Sequence, residues 1–142
     1  MKYQFVEKDK DTSILKYKDK EFEFKRDIDL QAKVQGVHSK ARTKMFIELS
    51  KQGITKDNLV VKTIKDGKTY EDNSNLEEIE KGYVEMAMLD LIDDICFKYT
   101  QMKFAELIVD MGMSQEDFKE MEQFTTDLTL AISGKNSNSP SK

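Results

Sequence analysis

The chain has a single cysteine, Cys96, and a single histidine, His38, in 142 residues. One thiol excludes an intrachain disulfide and any thiolate cluster for zinc, which fits a reducing cytosol. His38 has no serine and acid beside it in a recognisable catalytic pattern, and it reads as a surface histidine rather than a general base. Glycines number 6 and fall as scattered punctuation, so there is no glycine-rich phosphate loop. No apolar run reaches the roughly 20 residues that span a bilayer. The start, Met1-Lys2-Tyr3-Gln4-Phe5-Val6-Glu7-Lys8, turns charged at once and does not read as a secretory leader.

What is plentiful is charge. Apolar residues make up 38% and charged residues 35%, so either the core is thin or the helices are long and solvated. The length suits one core. The net charge of −4 conceals an imbalance: residues 1–68 carry +6 and residues 69–142 carry −10. An acidic half argues against nucleic acid as the main partner, because that affinity rests on neutralising phosphates with cations. The two halves either fold against each other or use their polarity to steer subunits and partners.

Residues 13–26 alternate apolar and charged side chains, with Leu15 and Tyr17 before Lys18-Asp19-Lys20 and Phe22 and Phe24 after it. That period of two predicts a hairpin with one buried face. From Ile28 the period lengthens: Val34, Val37, Ala41, Met45 and Leu49 make one helical stripe, and Gly53 suits its C-terminal end. Gly36 places the helix start near Val37. Leu59–Ile64 predicts a strand, Asp66-Gly67 a tight turn, and Lys68–Tyr70 a return strand.

The second half predicts helices at 76–99, 103–111 and from about 115 to 132, with Asn75 as the first cap and Ser114-Gln115-Glu116-Asp117 as a capping box. The last helix carries the stripe Phe118, Met121, Thr125, Leu128 and Ile132. The expected class is therefore α+β: a small N-terminal β-hairpin or sheet with a helix, then a mostly α-helical C-terminal half. Residues 1–133 are expected to form a single domain, and 134–142 a disordered polar tail.

Helix 76–99 is the informative segment. Val84, Met88, Leu91, Ile92, Ile95 and Tyr99 form one apolar stripe, while Ile79, Met86, Leu89, Cys96 and Phe97 lie roughly opposite. Two stripes mean either a helix sandwiched inside the domain or one lent to another chain. Asp90, Asp93 and Asp94 offer too few oxygens for a hard cation and read as a solvated face. Cys96, with no base beside it, reads as a small buried hydrophobe. Six of the 8 methionines fall between Met86 and Met121, and adaptable sulfur-bearing side chains recur at promiscuous grooves. The expected partner-binding residues are Met86, Leu89, Phe97, Met102, Met111, Met113, Phe118 and Met121. No catalytic residue, metal ligand or cofactor is expected.

In order and pattern the chain resembles the tail assembly chaperones of long-tailed phages that infect Gram-positive bacteria. The residues that carry the likeness are Glu21-Phe22-Glu23-Phe24-Lys25, Lys44-Met45-Phe46-Ile47-Glu48-Leu49, Met88-Leu89-Asp90-Leu91-Ile92-Asp93-Asp94-Ile95 and the short helical end before a polar tail. It spans most of residues 13–133. The resemblance implies a non-enzymatic protein of the host cytoplasm that keeps the helices of the tape-measure protein soluble, recruits tail-tube protein and leaves before the virion is complete. It leaves homo-oligomerisation open, and it implies neither nucleic acid nor membrane as partner. Gly134-Lys135 would suit the programmed frameshift by which many such phages make a longer form. The competing expectations are a small structural virion or connector protein and an acidic adaptor or inhibitor of a host protein. An enzyme is the weakest of them.

Overall fold

A computed structural model of the chain describes residues 2–133. The chain is α+β, with an N-terminal three-stranded antiparallel sheet and a mostly helical second half. It divides into two compact units. One takes the segments up to Gln35 and from Asp90 onward, and the other is Gly36–Leu89. The expected tail, 134–142, and the Gly134-Lys135 pair lie outside the described residues.

In the first unit, β1 (Gln4–Asp9), β2 (Thr12–Tyr17) and β3 (Lys20–Lys25) form a meander with β2 in the centre. Directly paired residues share a face, so Phe5, Leu15 and Phe22 make one row across the sheet, and Phe24 and Tyr17 extend that face. Leu15, Tyr17 and Phe24 are buried. The opposite face carries the charges, with Lys16 bonded to Glu21 at 3.7 Å and Lys8 to Glu23 at 3.0 Å. Strand β1 is an addition to the expected hairpin. Tyr3 and Phe5 supply its apolar alternation, which the run Glu7-Lys8-Asp9-Lys10 obscures in the sequence.

Three helical segments of the second half belong to this unit: the end of α3 (Ser74–Thr100), then α4 (Phe104–Met111) and α5 (Phe118–Ile132). Phe124 is fully buried amid Tyr3 at 4.9 Å, Phe5 at 6.1 Å and Phe104 at 6.1 Å between ring centroids. These are ordinary edge-to-face and offset contacts. The buried stripe of α5 is Phe124, Leu128, Ala131 and Ile132, so Phe118 falls off it.

Helix α1 (Ile28–Lys51) begins at Ile28 rather than near Val37. Asp27 Oδ1 accepts the Leu30 N–H at 3.0 Å as an N-cap. Its own N–H donates to the Ile132 carbonyl at 2.7 Å, which also accepts from Gln31 Nε2 at 2.9 Å, so this carbonyl at the end of α5 is satisfied. Oδ2 accepts from Tyr99 OH at 2.7 Å and from the Lys98 ammonium. Through its side chain and its backbone N–H, this one residue ties together three helix ends. Gly36 sits inside α1 with open space around its Cα. A glycine there costs about 1 kcal/mol relative to alanine, too little to stop a helix of 24 residues.

The second unit holds most of α1, a single turn α2 (Lys56–Leu59), the hairpin β4 (Val61–Lys65) with β5 (Lys68–Asp72), and the first part of α3. Its buried cluster is small: Met45, Leu49 and Leu76, flanked by half-buried Phe46, Ile54, Leu59, Ile79 and Tyr83. Tyr83 OH donates to Glu48 at 2.6 Å across the two helices.

Candidate protein-binding surface

Hydrogen bonds already made limit what the titratable groups can do. Four of the 5 tyrosines donate to carboxylates: Tyr3 to Asp127, Tyr17 to Asp110 and Tyr83 to Glu48, each at 2.6 Å, and Tyr99 to Asp27 at 2.7 Å. Burial, reinforced by those carboxylates, pushes the Tyr3, Tyr17 and Tyr99 hydroxyls above their ordinary range. Asp110 is held low by hydrogen bonds from Lys20 at 2.6 Å and from Tyr17.

The acidic set on α3 is divided in its duties. Asp93 Oδ1 accepts the Phe104 N–H at 3.0 Å and so caps α4 from a different helix, while Asp90 and Asp94 are exposed. Among the described residues no group of three or more His, Cys, Asp or Glu side chains is arranged to hold a metal ion. Cys96 is buried, and burial pushes its thiol up to about 12, with Asp93 adding to the effect. Its thiolate, the reactive form, is therefore scarce at neutral pH. His38 Nε2 lies 2.9 Å from Glu80, which also faces Arg42 at 3.7 Å. These line an open cleft of about 440 Å³ in the second unit, together with Asn73, Glu77 and Lys81. The cleft mixes both signs of charge, with Arg42, Lys56 and Lys81 beside Glu77, Glu80 and Glu85.

The eight expected binding residues fall into three groups. Exposed are Met86 (68%) and Leu89 (55%) on the first part of α3, Phe97 (48%) on its last part, and Phe118 (61%) at the start of α5. Met102 and Met121 are half-buried. Met111 and Met113 are buried, which corrects the expectation that they offer contact surface. Met111 belongs to the inward stripe of α4 with Leu107 and Ile108.

Met113 is drawn in by the helix end. Gly112 is left-handed at φ 87°, the Met113 N–H reaches back to the Ile108 carbonyl at 3.1 Å, and the residue after such a cap packs on the last turn. The Gly-Met pair after an apolar stripe is the signal that predicts it. Of the two stripes on α3, Leu91, Ile92 and Ile95 are buried, and from the opposite set only Cys96 is fully buried.

Further exposed apolar residues escaped the sequence reading: Ile28, Val109 and Leu130 in the first unit, and Ile47, Val61, Ile64 and Tyr70 in the second. Val109 and Leu130 lie off the buried stripes of α4 and α5, so a helical wheel drawn on the observed stripe would have found them. No helix among the described residues is long and apolar enough to cross a membrane. Comparison with protein families, with curated proteins and with solved structures gives no match.

Proposed function

We propose that the chain is a non-enzymatic tail assembly chaperone of a long-tailed phage, acting in the host cytoplasm. In this role it holds amphipathic helices of the tape-measure protein in solution and engages the tail-tube protein during assembly. The observation that carries the reading is the exposure of Met86 and Leu89 on α3. Large apolar side chains left in water on helices, with charge around them, suit helix-in-groove recognition of another chain's apolar face. Methionine serves this task because its flexible thioether fits helices of varied shape. Reversible apolar contact also suits a factor that must leave.

Co-expression with the long helical protein encoded nearby tests the proposal. The chain is expected to move that protein from the insoluble to the soluble fraction and to hold it through a high-salt wash, since apolar contact is not screened. A variant with Met86, Leu89 and Phe97 all made polar is expected to fold with stability within about 1 kcal/mol of the original, because all three are exposed, yet to lose the solubilising effect. An unfolded triple variant, or a partner equally soluble with and without the chain, rules the proposal out.

A further inference from the structure

Every residue of the hairpin β4–β5 is exposed, on both strands. A lone two-stranded ribbon is marginal in water, and three or more strands give independent stability. Its sheet contains only these two strands, so the outer edge of each lacks a strand partner among the described residues. The turn is Asp66-Gly67 with φ of 54° and 76°, the left-handed pair of a two-residue hairpin. Lys65 and Lys68 close that turn.

Pairing parity follows from the turn. The closing pair exchanges hydrogen bonds, and alternate pairs do so after it, so Lys68, Tyr70 and Asp72 direct their backbone groups at β4. Thr69 and Glu71 direct theirs outward. A strand that joins this edge must therefore bond to Thr69 and Glu71.

We infer that the edge of β5 pairs antiparallel with β5 of a second copy of this chain, about a two-fold axis through Tyr70, to make a four-stranded sheet. The sequence Lys68-Thr69-Tyr70-Glu71-Asp72 is complementary to itself in that register. Thr69 meets Glu71 of the second copy in a hydrogen-bonded pair at each side of the axis, which uses the outward groups. Lys68 meets Asp72 of the second copy at both ends, opposite charges facing each other. Tyr70 meets its own counterpart in the non-hydrogen-bonded position, where Cα atoms approach to about 4.5 Å and side chains are closest.

Asp72 is held in place for this role, because its Oδ1 accepts from the Ser74 N–H at 2.9 Å and from the Ser74 hydroxyl. The other edge does not match itself. In β4 the same operation about Thr63 sets Val61 against Lys65 and Lys62 against Ile64, with no opposite charges to pair. Self-complementarity of one edge is what a two-fold interface requires. The surface is independent of the proposed chaperone role, and either can fail alone.

Sedimentation of the intact chain at increasing concentration tests the inference, with a dimer expected. Lys68→Asp sets carboxylate against carboxylate and Asp72→Lys sets ammonium against ammonium, so each alone is expected to weaken self-association about tenfold or more. Mixing the two variants restores opposite charges at both ends and is expected to restore the dimer. Tyr70→Cys is expected to give a disulfide-linked dimer on mild oxidation, since the facing Cα atoms fall within about 4.4–6.8 Å. Lys62→Cys on the far edge is not expected to do so. A chain that stays monomeric, a dimer indifferent to the charge changes, a mixture that fails to associate, or a β5 edge taken up only by a different protein overturns the inference.

Discussion

Phe124→Ala is expected to destabilise the protein by about 4 kcal/mol, the range for removing a fully buried aromatic ring from a packed core. The loss is large because the ring is the common neighbour of Tyr3, Phe5 and Phe104, which come from the N-terminal strand region and from α4. Tyr3 cannot collapse into the gap without leaving its hydrogen bond to Asp127 at 2.6 Å, nor Phe5 without leaving its edge contact with Phe24 at 5.6 Å. The control is Phe118→Ala on the same helix. That side chain is exposed, and its removal is expected to change stability by no more than about 0.5 kcal/mol. Denaturant midpoints followed by circular dichroism check both. Similar costs at the two sites would mean that α5 does not pack through Phe124.

Asp27→Ala is expected to cost about 3 kcal/mol, combining a lost N-cap with lost charge-assisted bonds at a buried carboxylate. Lys98 is half exposed and recovers water when the carboxylate goes, so the cost stays below that of stranding a buried charge. Tyr99 keeps only a long contact to the Lys25 carbonyl at 3.4 Å. Asp27→Asn retains a capping oxygen and is expected to cost about half as much.

The two variants also differ from the original protein in acid. Burial alone would raise the Asp27 carboxyl, but hydrogen bonds from Lys98, Tyr99 and the Leu30 N–H outweigh it and hold the group below its ordinary value. A carboxyl with a depressed folded value contributes stability that is complete above the unfolded value. That contribution is lost as pH falls through the folded one. Below about pH 4 the unaltered protein is therefore expected to lose stability more steeply than Asp27→Asn. Parallel acid limbs in the two would show that Asp27 is not ionised in its cluster.

Local chemistry was legible in the sequence wherever it acts over a few residues. Phe22 and Phe24 announced a half-buried strand, Asp66-Gly67 announced the turn between β4 and β5, and Met45 and Leu49 announced the inward side of α1. Three features were hidden because their cause lies far along the chain. Asp27 becomes a buried hub only when Lys98 and Tyr99 arrive from more than seventy residues away. Strand β1 is recruited by β2, against the appearance of its own charges. The inward stripe of α5 centres on Phe124 because Tyr3 and Phe104 meet it there, whereas a periodic reading begun at Phe118 has no way to prefer one phase. Of the expected binding residues, Met86, Leu89, Phe97 and Phe118 are exposed, while Met111 is buried on the inward stripe of α4 and Met113 is drawn in by the glycine cap that ends it.

The methionine methyl groups give the most direct test of the central claim, that exposed soft side chains on these helices grip the helices of another protein. Methyl spectra of the labelled chain would be recorded with and without a helical segment of the tape-measure protein. Met86, exposed on α3, is expected to shift strongly and half-buried Met102 and Met121 to shift less, while buried Met45, Met111 and Met113 hold their positions. Binding that leaves Met86 unmoved, or no binding at all, would contradict the account.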